Sequence, residues 1–120
     1  MRLEGSATNP DTLPILRDGA SRLRPGLQDE YVKLVDRMQE VARSIPGYIS
    51  HKGFWAEDGE RVTIVEFEHE EGQTAWRKHP EHIEAQKLGR SKYYEMYDIK
   101  VGEVRYHHHH EVKSEAKAGA

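Results

Sequence analysis

The clearest pattern in the chain is a run of apolar positions at steps of three and four. Leu27, Tyr31, Leu34, Val35, Met38, Val41, Ala42 and Ile45 share one stripe, while Asp29, Glu30, Lys33, Asp36, Arg37, Glu40 and Arg43 cover the other side. That spacing predicts an amphipathic helix. Pro46-Gly47 stops it, because the residue before a proline is disfavoured in helix and glycine permits a reversal. Ahead of the helix, residues 12–24 predict a weaker strand. Leu13, Ile15 and Leu16 open it, Asp18-Gly19 interrupts it with a bulge or bend at Gly19, and Pro25-Gly26 ends it.

After the helix the period changes to two. Residues 48–55 read as a strand with Ile49, Phe54 and Trp55 as its bulky positions. Glu57-Asp58-Gly59-Glu60 is a hairpin turn, since Asp-Gly suits the positive backbone angles such turns need. Residues 61–68 return as a strand, with Val62, Thr63, Ile64, Val65 and Phe67 on both of its faces. A strand apolar on both faces is covered on both faces. Helices of one small domain cover a single face, so the other calls for a second sheet, which a partner copy would supply. Residues 70–78 then predict a short helix carrying Ala75 and Trp76. Pro80 begins another, with His79 as its cap, Ile83, Ala85 and Leu88 along it, and Gly89 at its end. A last strand runs over residues 93–106.

The order is β-α-β-β-α-β, so the expected fold class is α+β: a ferredoxin-like, antiparallel four-stranded sheet with its helices on one face. The domain spans residues 12–106. Residues 1–11 read as a polar leader, and residues 107–120 as an extended, His-rich polar tail whose His107–His110 run forms no specific site.

Composition narrows the function classes. The chain has 120 residues, 36% of them hydrophobic, a net charge of -3 and no cysteine. Its apolar content is lean for one domain, which again points to a partner subunit. The absence of cysteine excludes disulfides, thiolate nucleophiles and thiolate-bound metals. No basic stripe suits nucleic acid or an anionic membrane, and no apolar run reaches membrane length. The expected location is cytoplasmic.

Several strings resemble one family. Ser44-Ile45-Pro46-Gly47-Tyr48, the hairpin Ala56-Glu57-Asp58-Gly59-Glu60-Arg61-Val62, and above all Trp76-Arg77-Lys78-His79-Pro80-Glu81-His82 are similar to the antibiotic biosynthesis monooxygenase (ABM) family. Ala85-Gln86, Gly89-Arg90, Tyr94 and the early Arg22-Leu23-Arg24-Pro25-Gly26 extend the match. The resemblance implies a dimeric α/β barrel, joined through the open sheet face, with a cavity between sheet and helices in each subunit. It also implies either cofactor-independent oxygenation of phenols or quinols by O2, or heme degradation. Two departures bear on this. Glu66-Phe67 stands where many relatives carry Tyr-Trp. The heme-degrading pattern of a first-strand Asn and a His ten residues after the Trp is missing: Gln86 follows Trp76 at that distance, and the single Asn is Asn9.

The candidate residues follow. Trp76 is the expected pocket wall, against the alternative of a core indole pinning its helix. His82 is the candidate general acid/base, against a solvent-facing or capping role. His79 and His82, three apart, share a helix face and offer a low-ranked heme or metal site that lacks a named third ligand. Glu66 breaks an apolar strand; if its face is covered it is a raised-pKa base, and otherwise a partner for an arginine across an interface. Phe67, His51 and Tyr94 are expected at the substrate, with His51 alternatively a buried, hydrogen-bonded structural group. His69 reads as a cap for the helix after it. Tyr93, Tyr94 and Tyr97 divide between pocket and interface. Together they point to oxygenation of a small aromatic or quinol-like substrate without a cofactor. The competing reading is a dimeric small-molecule-binding protein without turnover.

Overall fold

A computed structural model describes residues 13–112; the leader over residues 1–11 lies outside them. Strand β1 (Ile15–Leu23) is followed by helix α1 (Gln28–Arg43), strand β2 (Tyr48–Trp55) and strand β3 (Arg61–Phe67). Helices α2 (Glu70–Lys78) and α3 (Pro80–Leu88), a π-helical turn over Gly89–Tyr93 and strand β4 (Tyr94–Glu103) complete the order. The sheet runs β2-β3-β1-β4 with every neighbouring pair antiparallel. This is the ferredoxin-like α+β arrangement that the order of elements predicted.

The stripe on α1 does what its period requires. Tyr31, Met38, Val41 and Ala42 are buried, and with Ile45, Val65, Phe67 and Trp76 they form the core between helices and sheet. Asp29 and Glu30 in the first turn and Arg43 in the last complement the helix dipole. Gly47 then turns with φ of +89°, a backbone region that other residues rarely enter. At the β2–β3 hairpin, Gly59 takes φ of +93° and the Asp58 carboxylate accepts from the Glu60 N–H at 3.1 Å. Arg22 closes onto the same Asp58 at 2.7 Å and ties β1 to the turn.

Three expectations are corrected. No bulge falls at Gly19, where pairing continues unbroken to Thr63 and Ile99. The shift in β1 comes at Arg22/Leu23 against β4, and β2 has its own between Tyr48 and Ser50. The last strand ends at Glu103, not Tyr106: one more bond, Val104 N–H to the Pro14 carbonyl at 2.8 Å, is made before β1 runs out of partners. His69 sits at the start of α2 but its side chain makes no capping bond; its Nδ1 lies 3.5 Å from the Glu71 carboxylate. His79 does cap α3, with its Nδ1 accepting from the Glu81 N–H at 3.1 Å.

Strand alternation sorts the sheet into two faces. Arg17, Gly19 and Ser21 of β1 face the helices and oppose Val65, Thr63 and Arg61 of β3. They also oppose Val101, Ile99 and Tyr97 of β4, which therefore point the same way. Helix α1 meets β4 at its first residue, Tyr94, whereas further along the strand Tyr97, Ile99 and Val101 stay 46%, 40% and 48% exposed. The other face carries Leu16, Ala20, Phe54, Val62, Ile64 and Met96, and no helix among the described residues covers it.

Candidate active site

A cavity of about 190 Å³ lies between α1, α3 and the helix-facing side of β1 and β4. Leu34, Val35 and Met38 of α1 make its apolar side; Arg17, His51, Trp76, His82, Tyr31 and Tyr94 bring the chemistry. Its open side is the exposed edge at Tyr97 and Ile99.

The centre of the group is Trp76 on α2. Proline at the start of α3 breaks the helical run at His79, and α3 returns so that His82 lies flat on the indole. The two rings stack with centroids 4.1 Å apart and planes 28° off parallel. The His51 ring meets Trp76 edge-on at 6.0 Å and 86°. The Arg17 guanidinium carbon is 5.4 Å from the Trp76 ring centroid, within cation–π range. Arg17 is only 7% exposed, and its Nη1 donates to the Gln73 side-chain oxygen at 2.9 Å. Gln73 is one turn before Trp76 on α2, so a single helix holds both the cation and the ring. The indole Nε1–H is buried and finds no acceptor among the described residues.

Burial sets the charge states. It pushes His82 down to about 4, with the nearby Arg17 cation acting in the same direction. His51 is lowered too, by burial first and then by Arg61 and Arg43. Both imidazoles are therefore neutral near pH 7. Arg17 is lowered by burial and by Arg77, although its guanidinium remains charged. At the far end, the Tyr94 and Tyr31 hydroxyls are 2.8 Å apart, and burial followed by Tyr31 raises the Tyr94 phenol. Arg61 stands behind them, 5.1 Å over Trp55 and 6.0 Å over Tyr31. Gly53 gives it room, since a Cβ there would lie 2.0 Å from the Arg61 Nη2.

The structure brings together Trp76, His82, His51 and Tyr94. It does not bring Glu66 or Phe67 to the cavity. Glu66 opposes Leu16 and Ser50 on the uncovered face of the sheet, away from the helices, so the base proposed for it is not at the pocket. Phe67 is wholly buried in the core, 6.1 Å from Trp76, and supports that ring without lining the cavity. Of the late tyrosines, Tyr94 and Tyr97 line the pocket, while Tyr93 is buried and donates to Glu30 at 2.8 Å. His79 uses its Nδ1 as a cap, and among the described residues no three His, Asp or Glu side chains group to hold a metal ion.

Sequence reading missed Arg17, Gln73 and the hydroxyl of Tyr31. The signal for Arg17 was its parity: it shares a strand face with Ile15 and Ser21, so a strand that buries Ile15 directs Arg17 to the same side. Tyr31 was legible only as one more apolar position of the helical stripe.

Fold and pocket define a ferredoxin-like domain with a largely desolvated, cation-bearing cavity. The family model described as antibiotic biosynthesis monooxygenase matches residues 14–88, and the chain belongs to that family. The uncharacterized protein YqjZ of Bacillus subtilis is 31% identical over 74 residues, which span 62% of this chain and 65% of that protein, less than two thirds of its length. Among solved structures, Rv0793 from Mycobacterium tuberculosis superposes with a TM-score of 0.66 at 18% identity, over 73% of this chain and 91% of that one. SnoaB, a cofactor-independent oxygenase from Streptomyces nogalater, superposes with a TM-score of 0.68 at 12% identity, over 79% of this chain and 96% of its own. At such identities the structural likeness establishes the fold. No helix among the described residues is long and apolar enough to cross a membrane.

Proposed function

We propose that this pocket takes a small electron-rich aromatic or quinol-like compound and promotes its oxidation by O2 without a prosthetic group. The observation that carries this reading is the Arg17–Trp76–His82 group, a desolvated cation and a neutral imidazole held against one indole in an apolar chamber. In such a reaction the ionised substrate itself reduces dioxygen; one oxygen atom ends in the product and the other in water. The protein contributes dry, preorganised charge. Arg17 stabilises the substrate oxyanion, and the neutral His82 and His51 offer proton acceptors. Because its pKa is so low, His82 is a weak base, and the field of Arg17 does most of the acidifying. Family membership and the fold shared with a cofactor-independent oxygenase support the same reading.

The test is oxygen consumption by chelator-treated protein with anthrone, quinol and catechol substrates, beside Trp76→Ala. Uptake that survives chelation and falls in the variant supports oxygenation at this pocket. No uptake above buffer across the panel overturns it in favour of a binding protein without turnover.

We infer also that two copies pair through the uncovered sheet face, where Phe54, Val62, Ile64 and Met96 would otherwise meet water. Sedimentation equilibrium tests this: a monomer at micromolar concentration would refute it.

A further inference from the structure

The ionisable groups of the cavity are unevenly signed. Arg17, His51, His82 and Arg90 line it, together with three tyrosines, and among the described residues no Asp or Glu does. The chain as a whole has 21 acidic residues and a net charge of -3. Acids are plentiful, yet among the described residues none lines this space.

Arg17 is the sharpest part of the imbalance. A buried guanidinium is ordinarily matched by a carboxylate, because desolvating an uncompensated charge is costly. Arg17 instead donates to the neutral amide oxygen of Gln73, and among the described residues no carboxylate pairs with it. Among the described residues its one bond, to Gln73, leaves most of its five donors unused. Arg90, exposed in the π-helical turn after α3, adds a second cation along the lining. Arg61 acts on the same region from behind Tyr31.

Burial weakens both imidazoles of the cavity as bases. His82 ionises only near 4, too low to take a proton readily from an ordinary phenol. A ligand already ionised at neutral pH needs no base to enter. Size narrows the class further: an apolar cavity of about 150 Å³ admits benzene, so about 190 Å³ suits one ring with its substituents.

We infer that the ligand of this pocket is an aromatic carboxylate, with Arg17 as the receptor for its acid group and the ring lying along Leu34, Val35 and Met38. The inference rests on the assignment of this cavity as the substrate site and specifies what enters it.

The experiment is a calorimetric titration of the full chain with gentisate, a dihydroxybenzoate, and with gentisamide, its neutral counterpart. The carboxylate should bind about tenfold tighter or more, the scale of a charge-assisted bond. The preference should vanish in Arg17→Met and persist in part in Arg17→Lys, each checked for folding by circular dichroism. Should Arg17→Met fail to fold, the comparison of the two ligands on the unaltered protein still decides. Equal affinity, preference for the amide, or binding of neither overturns the inference. Oxygen uptake on the same samples separates the two proposals. A carboxylate preference without uptake upholds the receptor and sinks oxygenation, whereas uptake with neutral quinols and no preference does the reverse.

Discussion

The imidazole of His82 lies stacked on the indole of Trp76 with ring centroids 4.1 Å apart, and both are all but closed to water. That contact joins α3 to α2 across the proline break, and the burial it shares, with the nearby Arg17 cation, keeps the imidazole neutral. The consequences are measurable.

The first concerns pH. Burial holds folded His82 at about 4, whereas the unfolded imidazole takes up its proton near pH 6.5. Between those values the unfolded chain binds more protons, so stability rises with pH. Acidifying from about pH 7 to about pH 4 should cost about 3 kcal/mol through this group alone. His51, lowered in the same way, adds to the loss. Urea midpoints across this range should fall for the unaltered protein and fall less for His82→Gln. Parallel curves for the two would show that His82 is not desolvated.

The second concerns the hydroxyl pair at the far end of the cavity. Tyr31→Phe and Tyr94→Phe should each cost about 1 kcal/mol, because each leaves a buried hydroxyl without its partner. The double variant should lose less than the sum of the two. Strict additivity in denaturant unfolding would mean the 2.8 Å contact contributes nothing.

A third compares two glycines. A Cβ at Gly72 would meet the Phe67 ring at 2.9 Å and the Pro46 carbonyl at 3.1 Å, whereas nothing lies within 4 Å of one at Gly102. Gly72→Ala should therefore destabilise by about 1–3 kcal/mol through overpacking. Gly102→Ala should change stability by no more than about 0.5 kcal/mol. Equal thermal shifts would contradict the packing of α2 on Phe67.

A fourth separates the two faces of the sheet. Glu66→Gln should leave ligand affinity and oxygen uptake within about twofold, the range of a substitution away from the site. A loss of tenfold or more would return Glu66 to the chemistry.

Much of this protein was legible in its sequence. Period three-and-four in α1, period two in β2 and β3, Pro80 after His79 and the Asp58-Gly59 turn are local signals, set by backbone sterics and by which positions must leave water. They determine the elements and, with right-handed crossovers, the sheet order. Trp76, His82, His51 and Tyr94, which line one cavity, could be singled out as candidates because large aromatic and titratable side chains in otherwise apolar stretches are few. What the sequence left open was which of them meet. The face on which Glu66 lies depends on register against β1, and one residue of slip would reverse it. Phe67 and Trp76 look equally apolar in one dimension, yet one is enclosed by core and the other walls a cavity. Arg17 looks like a surface charge until β1 is flanked on both sides and α2 folds over it. These are decided by contacts between residues more than fifty positions apart, such as Arg17 with Gln73 and Tyr31 with Tyr94. No local pattern encodes such distances, and only the packed tertiary structure brings those atoms together.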